Sequence, residues 1–283
     1  MKKRRVHPGT VQETLLIPLY GRAVENRKAE AALRDPRAEE IVAALDHDFS
    51  RFEGLASLTG SVMRTRLFDH WTSRFLREHP AGTVVEVGAG LNSRFERVDN
   101  GAVHWLDLDL PDVVELRRAF FPDTARRTTV AASVTEHSWM DAVTERSQEG
   151  GVLFCAEAVL PFLDESEVRG VIDGLADRFP GSLLALDLAG HAMVDTQDEH
   201  DALSKVEARM RWTCDGPEHL TAWHPGIEVL ACHTLSDPPP ALYAELPPSY
   251  QRMITDLATR RLPQVEEYRL ALLRLSRTGP GRS

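Results

Sequence analysis

Hydrophobic and polar positions follow two different patterns along the chain, with a change near residue 80. Before that point, apolar residues recur at helical spacing. This spacing predicts one helix that begins at Asp35-Pro36 and a second over residues 60–77. An aspartate followed by proline is a good helix start, because the carboxylate can cap free N–H groups and proline suits the first helical position. The first 80 residues are therefore expected to be helical.

After residue 80, short apolar runs alternate with amphipathic segments. The runs predict strands over residues 83–87, 103–109, 128–132, 151–156, 182–188 and 227–232. The segments between them predict helices over residues 112–121, 164–179 and 199–212. Another helix is expected after Pro247-Pro248, and a last strand over residues 268–275. Strands that alternate with helices indicate an α/β fold, in which a parallel sheet carries helices on both faces.

Composition and charge narrow the possible classes of protein. The 283 residues are 42% hydrophobic and 27% charged, which is typical of a folded globular chain. A formal charge of −10 disfavours a nucleic-acid-binding protein, which usually carries a basic excess. No apolar run is long enough to cross a membrane. The three cysteines are far apart and the eleven histidines lack metal-ligand spacing, so we expect a cytoplasmic protein without a metal site.

The most informative motif is Glu86-Val87-Gly88-Ala89-Gly90, at the end of the first predicted strand of the sheet. Glycine adopts backbone angles that other residues avoid and lets the main chain approach a ligand closely. In doubly wound sheets, ligands bind beyond the carboxyl ends of the strands. Asp109 ends the next predicted strand and can accept hydrogen bonds from ribose hydroxyls, although it can equally cap the helix that follows. The motif therefore predicts a nucleoside site.

The residues after the turn help to choose between the candidate ligands of this site. NAD sites use G-x-G-x-x-G so that the pyrophosphate rests on a helix N-terminus, and here the third glycine position is Ser93. S-adenosylmethionine carries no phosphate and tolerates a looser turn, so it is favoured over NAD. A tight turn without a ligand is the remaining interpretation, since two glycines alone are a weak signal.

Six separated blocks of sequence carry a family resemblance. They are TLLIPLYGRAVENR (14–27), VMRTRLFDHW (62–71), VVEVGAGLNSRFER (84–97), VHWLDLDLPDV (103–113), CAEAVLPFL (155–163) and VEARMRWTCDGPEHL (206–220). On these blocks the chain resembles the leucine carboxyl methyltransferase superfamily, and most of all its bacterial polyketide O-methyltransferases of the tetracenomycin type. The resemblance implies a Rossmann-like class I methyltransferase sheet with helices on both faces over residues 81–283. It also implies a helical cap or lid over residues 1–80 and helical acceptor-site insertions near residues 189–225 and 238–264.

The resemblance further implies S-adenosylmethionine as cofactor and S-adenosylhomocysteine as product. Arg64 matches an arginine that pairs with the methionyl carboxylate, Gly88 matches a backbone contact, and Asp109 matches the ribose-binding acid. The other expected cofactor contacts are Tyr20, Arg22, Glu86, Gly90, Leu110, Ser133, Val134 and Glu157. Ser133 stands where the family often has aspartate, which weakens the hydrogen bond expected to the adenine amine.

The acceptor decides whether the enzyme needs a base. A carboxylate is ionised at neutral pH, whereas a phenol with a pKa near ~10 is helped by a base. His191 is the candidate base, and a polar loop residue is its other interpretation. Because the family leans to carboxyl acceptors, we expect carboxyl O-methylation of a polyketide or related secondary metabolite. The residues expected to bind this acceptor are Met193, Arg209, Trp212 and Trp223, although ordinary core packing is an equal interpretation for the tryptophans and the methionine.

The sequence leaves several alternative functions open. The same scaffold can methylate a hydroxyl of an aromatic natural product or the C-terminal carboxylate of a peptide or protein. An NAD-dependent oxidoreductase and a ligand-binding protein without activity are more distant alternatives. A small-molecule acceptor is expected, with no nucleic-acid or membrane partner, and the protein is expected to be a monomer or a homodimer.

Overall fold

The computed structural model describes residues 4–5, 12–147 and 150–277, and its centre is a seven-stranded sheet. The strands are β1 (Thr83–Val87), β2 (His104–Asp109), β3 (Arg127–Ala131), β4 (Val152–Ala156), β5 (Leu183–Ala189), β6 (Ile227–His233) and β7 (Tyr268–Leu275). Their order is β3-β2-β1-β4-β5-β7-β6. The first five are parallel, and β7 runs antiparallel to both of its neighbours. Each predicted strand is present within one residue at either end.

Helices precede, connect and follow these strands. Before the sheet come α1 (Leu16–Glu25), α2 (Pro36–Ala44) and α3 (Ala56–Glu78). Between the parallel strands lie α4 (Arg94–Val98), α5 (Pro111–Arg118), α6 (Met140–Arg146) and α7 (Glu165–Arg178). The last third contains α8 (His191–Val194), α9 (Pro217–Trp223), α10 (Pro240–Glu245), α11 (Pro248–Arg260) and α12 (Pro263–Glu266). The alternation of strands and helices confirms the predicted α/β fold.

The N-terminal helices follow the sequence prediction. Asp35 caps α2, because its carboxylate accepts the Ala38 N–H at 3.0 Å, and Pro36 occupies the first turn. The apolar residues of α1–α3 join a core cluster that also contains Trp105 of β2. The predicted cap starts at residue 1, but residues 1–3 and 6–11 lie outside the described residues. In the described ranges, no helix is long and apolar enough to span a membrane.

The helix predicted over residues 199–212 is wrong. This segment contains turns, the short 3-10 helix Leu203–Lys205 and then extended chain. Buried and exposed residues alternate with a period of two at its end, where Val206, Ala208, Met210 and Trp212 are buried. That period is typical of extended chain, whereas a helix repeats every 3.6 residues. The extended form is held by the Gln197 side chain, whose amide bonds both the N–H and the C=O of Met210.

Three groups of buried apolar side chains hold the layers together. The largest packs α1–α3 against one face of the sheet, and the second packs α6 and α7 against the other face. A third, small group joins Met63 of α3 to Leu246, Tyr250 and Ile254. It is separate from the main core and attaches α11 to the N-terminal helices. This arrangement places α1, α3 and α11 above the carboxyl ends of the central strands.

Candidate active site

A cavity of about 720 Å³ lies between the carboxyl ends of the central strands and the helices above them. Its inner wall is mostly polar and contains Arg22, Arg64, Glu86, Gly88, Gly90, Asn92, Glu157 and Tyr268. Its outer wall is largely apolar and contains Met63, Met193, Leu203, Met210, Leu235, Met253 and Leu257. A polar end beside an apolar end is the usual arrangement of a site that orients a small molecule.

The turn after β1 presents its main chain to this cavity. Gly88 and Gly90 have φ angles of +63° and +47°, in the left-handed region that favours glycine. A Cβ atom on Gly88 would also lie 2.4 Å from Cγ2 of Val159. Glycine is therefore required at position 88 both by the backbone and by the packing of the next loop.

Asp109 ties the end of β2 to this turn. Its carboxylate accepts the Gly90 N–H at 2.6 Å and the Leu110 N–H at 2.8 Å. Burial raises the pKa of Asp109 to about 6, although the two hydrogen bonds oppose this shift. The structure places Asp109 directly behind the turn and not among the residues that line the cavity.

Three other predicted cofactor contacts, Leu110, Ser133 and Val134, also lie outside the cavity wall. Ser133 bonds the Thr135 hydroxyl at 2.8 Å, and the carbonyl of Val134 accepts the Trp139 indole N–H at 3.2 Å. Leu110 contributes its main-chain N–H to Asp109. Leu110 directly follows β2, and Ser133 and Val134 come shortly after the end of β3.

Arg64 and Glu157 meet at the floor of the cavity. The Arg64 Nε–H donates to Glu157 Oε1 at 3.0 Å, and its Nη1 donates to the Tyr268 hydroxyl at 3.0 Å. Arg64 and the buried Arg94 lower the pKa of Glu157 to about 2 against the opposing effect of burial. The Nη2 group of Arg64 has no hydrogen-bond partner in the described part of the chain, so the guanidinium retains free donors beside the cavity.

Tyr268 and Asp187 close this floor from the side of β5 and β7. The Tyr268 hydroxyl donates to the fully buried carboxylate of Asp187, which also accepts the Ala158 N–H at 2.9 Å. Burial raises the pKa of Asp187, and Arg64 opposes that shift. The hydroxyl thereby links Arg64 to a second acid at the carboxyl end of β5.

Sequence reasoning missed Arg94, which joins three acids under the cavity. Its guanidinium is fully buried and pairs with Asp69 at 2.9 Å and with both Glu86 and Glu157. Glu86 also accepts the Asn92 amide at 3.1 Å through Oε1, but its buried Oε2 has no partner among the described residues. Burial raises the pKa of Glu86, and Arg94 opposes the shift. Arg94 lies inside a block of the family resemblance, yet an arginine at a helix start normally indicates a solvated side chain.

Arg22 and Arg117 hold the glycine turn from two sides. The Arg22 Nη2 donates to the Leu91 carbonyl at 2.8 Å, and its Nε donates to Asp35 at 2.8 Å. The Arg117 Nη1 donates to the Gly90 carbonyl at 2.9 Å. Arg22 was predicted to contact the cofactor and does line the cavity, whereas Arg117 was not predicted.

Tyr20 is buried away from the cavity wall. Its ring stacks on Phe49 with centroids 5.2 Å apart, at the contact of α1 with the chain before α3. Arg22 faces the glycine turn two residues later because successive positions of a helix point in different directions. The structure therefore brings Arg22, but not Tyr20, to the cavity.

The predicted acceptor-binding residues separate into two groups. Met193 lines the cavity together with Met210. Trp212 is buried against Trp223, with ring centroids 5.9 Å apart, and both belong to the core cluster on the far face of the sheet. The tryptophans are not brought into the cavity, because the extended segment passes from the first core cluster at Met210 to the second at Trp212.

Two further predicted residues point to solvent. Arg209 pairs with Asp198 at 2.8 Å and donates to nearby main-chain carbonyls, outside the cavity. The side chain of His191 is 67% exposed and lies 3.3 Å from Asp195. His191 therefore does not face the cavity, and His200 is the histidine in the described cavity wall. No set of three potential metal ligands occurs within the ranges that the structure describes.

Comparison with known proteins agrees with this geometry. A family model described as leucine carboxyl methyltransferase matches residues 16–176. The chain belongs to the leucine carboxyl methyltransferase family. The tetracenomycin polyketide synthesis O-methyltransferase TcmP of Streptomyces glaucescens is 31% identical over 231 residues, which cover 81% of this chain and 84% of TcmP. The predicted resemblance to this family and to its tetracenomycin-type members is thereby confirmed.

Two further similarities extend the comparison. The S-adenosyl-L-methionine-dependent methyltransferase dpfgK of Gibberella zeae is 23% identical over 257 residues, covering 81% of this chain and 83% of dpfgK. The crystal structure of a duf574 family protein from Streptomyces avermitilis covers 93% of this chain and 97% of its own, with a TM-score of 0.59 at 14% identity. The fold is the Rossmann-like class I methyltransferase fold, and the protein is an S-adenosylmethionine-dependent methyltransferase.

Proposed function

We propose that this methyltransferase methylates a carboxylate on a polyketide-like aromatic acid. The relative TcmP is an O-methyltransferase of tetracenomycin polyketide synthesis, which supports a related class of acceptor. The apolar half of the cavity supports an acceptor with a hydrophobic ring system. The finer choice of a carboxylate rests on the hydrogen bonds of His200, the histidine in the cavity wall.

The polar half of the cavity fits S-adenosylmethionine. The buried Oε2 of Glu86 has no partner in the described residues and would accept a hydrogen bond from the amino group of the methionyl part. Arg64 has free N–H groups for the carboxylate of that part. Gly88 and Gly90 offer a main chain without side chains, and Asp109, which accepts the Gly90 N–H from behind the turn, is the acid that we assign to the ribose hydroxyls. We assign the cofactor to this half.

The outer half of the cavity is assigned to the acceptor. It is lined by Met193 and Met210 from the segment 189–225, and by Met253 and Leu257 from α11 in the segment 238–264. Helix α1 covers the same space from the N-terminal side. A site enclosed by these three parts of the chain excludes water and keeps donor and acceptor in line, which is the main requirement of methyl transfer.

One observation favours a carboxylate over a hydroxyl acceptor. Bound S-adenosylmethionine supplies a methyl carbon to the acceptor oxygen, and the electron pair of the broken carbon–sulfur bond stays on sulfur. A phenol must also lose a proton, for which a histidine is the usual base. The Nδ1 atom of His200 instead accepts the main-chain N–H groups of Ala202 and Leu203. The lone pair of Nδ1 is engaged in these two hydrogen bonds. The one histidine in the described cavity wall therefore has no free Nδ1 atom that could act as the base.

The carboxylates near the cavity mouth are poor substitutes for a histidine base. Asp201 accepts the Ser57 N–H at 3.2 Å, and Asp256 pairs with Arg260 at 3.6 Å. An aspartate has an ordinary pKa of about 4, roughly six units below that of a phenol, so proton transfer to it is unfavourable. An acceptor that is already ionised avoids this problem.

The test uses 1-hydroxy-2-naphthoic acid, which carries both acceptor groups on one ring system. The enzyme is incubated with methyl-labelled S-adenosylmethionine, and the product is treated with mild base. We expect a methyl ester, which base hydrolyses. A base-stable methyl ether would contradict the proposal and would establish the hydroxyl-methylating alternative, and a wild-type enzyme that neither binds nor methylates the acid would also contradict it.

A further inference from the structure

His200 lines the same cavity as Arg64 of the cofactor half and Met210 of the acceptor half. It lies on the segment that follows α8. The adjacent Asp201 accepts the N–H of Ser57 at the start of α3, so the turn that carries His200 is attached to the helix that carries Arg64. The ring is therefore held in a fixed relation to the cofactor half of the site.

The orientation of the ring is set by main-chain donors. The His200 Nδ1 atom accepts the Ala202 N–H at 3.2 Å and the Leu203 N–H at 3.1 Å. A neutral histidine that accepts at Nδ1 carries its proton on Nε2 and is a donor there. Within the described ranges, Nε2 has no hydrogen-bond partner, and it is not among the buried polar atoms that lack one, so it is accessible from the cavity. The ring therefore presents one free N–H group.

The charge state of the ring agrees with this geometry. Burial lowers the pKa of His200, Arg64 lowers it further, and Asp201 at 3.5 Å opposes the shift. His200 is thus neutral at neutral pH. A neutral N–H donor can bind one oxygen of the acceptor carboxylate without forming a strong ion pair. A strong ion pair would make both oxygens of the carboxylate less nucleophilic.

We infer that the Nε2–H of His200 is the hydrogen-bond donor that orients the acceptor carboxylate. This inference rests on the proposed carboxyl methylation. The donor binds one carboxylate oxygen, and the second oxygen is left free to attack the methyl carbon. No proton moves in this step: the acceptor oxygen forms the new bond to carbon, and the carbon–sulfur pair remains on the neutral thioether product. His200 thereby selects acceptors with two neighbouring oxygen atoms.

Two substitutions separate the donor from the turn that holds it. In His200→Asn, the side-chain oxygen can still accept the same main-chain N–H groups, but no donor reaches the position of Nε2. In His200→Gln, the amide N–H reaches about as far as Nε2. The exposed His219, outside the cavity, provides the matched control His219→Asn. For each variant, kcat/KM for 1-hydroxy-2-naphthoic acid is measured together with the affinity for S-adenosylhomocysteine.

The expected pattern distinguishes a donor from a base and from a structural residue. His200→Asn should lower kcat/KM roughly 10- to 100-fold, the effect of one hydrogen bond to a charged group. His200→Gln should stay within about 5-fold of the wild type, and His219→Asn should be unchanged. Affinity for S-adenosylhomocysteine should not change in any variant. Equal activity of His200→Asn and His200→Gln would overturn the inference, as would loss of S-adenosylhomocysteine binding in His200→Asn.

The pH profile provides a second readout. If His200 were a base, kcat/KM of the wild type would rise with pH through the histidine titration, and His200→Gln would abolish both the rise and the activity. The inference predicts that the profile of His200→Gln parallels that of the wild type between pH 5.5 and pH 8, because Nε2 is a donor in both charge states of the wild-type ring. The wild-type product is identified separately: an ether contradicts the proposed function, whereas an ester with equally inactive variants contradicts only the role of His200.

Discussion

Arg64 and Glu157 form an ion pair across the floor of the cavity, with Nε and Oε1 3.0 Å apart. They are separated by 93 residues of sequence, and they join α3 to the carboxyl end of β4. The same carboxylate also pairs with the buried Arg94. Glu157 therefore pairs with two guanidinium groups, one in the cavity wall and one beneath it.

Replacement of Glu157 by glutamine should destabilise the protein in a pH-dependent way. The folded pKa of about 2 lies below the ordinary value of 4.5, so the carboxylate stabilises the fold above pH 4.5 and loses this effect as the pH falls towards 2. The shift corresponds to about 3 kcal/mol. Urea unfolding should show a difference between wild type and Glu157→Gln that shrinks by about half between pH 5 and pH 3.

Glu245→Gln is the matched control for this experiment. Glu245 pairs with Arg66, also on α3, at 3.1 Å, but its side chain is 59% exposed. An exposed ion pair contributes less than about 1 kcal/mol. An equal loss in the two variants, or a Glu157→Gln effect independent of pH, would contradict the assignment of Glu157 as a buried neutralising charge.

Cofactor affinity should depend on the ionisation of Asp109. The folded pKa of about 6 means that the carboxylate becomes protonated below that pH, and the neutral acid accepts hydrogen bonds from ribose hydroxyls more weakly than the charged form. Calorimetric titration with S-adenosylhomocysteine should therefore show weaker binding at pH 5 than at pH 7.5. In Asp109→Asn, binding should be weak at both values, and equal wild-type affinity at the two values would remove Asp109 from the ribose site.

The stability of the protein without cofactor should respond to Asp109 in the opposite direction. Because the folded pKa lies above the ordinary value of 3.8, the partly buried carboxylate opposes folding above pH 6, and this cost is relieved as the pH falls towards 3.8. In Asp109→Asn, the free energy of unfolding should lack this increase between pH 6 and pH 3.8, because the amide does not titrate. The difference between the thermal unfolding curves of the two proteins between pH 7 and pH 5 isolates this contribution from those of other groups.

Alanine at position 88 should impair both folding and cofactor binding. The residue would combine a left-handed φ of +63° with a contact of 2.4 Å to Val159, at a cost of about 2 to 4 kcal/mol. Gly101→Ala is the control, because Gly101 has a φ of +82° and open space around its Cβ position. That variant should lose about 1 to 2 kcal/mol and should bind S-adenosylhomocysteine normally. Similar unfolding midpoints for the two variants would contradict the packing argument.

Tyr250 attaches α11 to α1 over the acceptor half of the cavity. Its hydroxyl donates to Glu25 at 2.5 Å and accepts from Lys28 at 2.8 Å. Tyr250→Phe should lose about 1 to 2 kcal/mol, since the Glu25 carboxylate is buried. Hydrogen exchange should become faster in residues 240–260. The half-buried Tyr243, whose hydroxyl lies 3.5 Å from the Gln251 carbonyl, gives the control Tyr243→Phe, which should show neither change.

The local elements and the centre of the cofactor site were predictable from the sequence. Strand periodicity and the turn at Gly88 identified β1, and Asp109 was recognised as the acid that ends β2. These features depend on neighbouring residues, because side-chain alternation and left-handed turns are local properties. The helix predicted over residues 199–212 was wrong for a reason that is also local: a period of two in the apolar residues was interpreted as helical spacing.

Only the tertiary structure decided which charged and polar side chains meet. It places Arg94 among Asp69, Glu86 and Glu157, and it directs His200 rather than His191 to the cavity wall. The sequence by itself determined the strands, the glycine turn and the family, because each is recorded in short-range spacing or in matched blocks, whereas the strand order and the antiparallel β7 required the tertiary structure. The partners of a buried charge are chosen by the packing of distant elements, where the cost of burial is offset by whichever opposite charge the fold brings within reach.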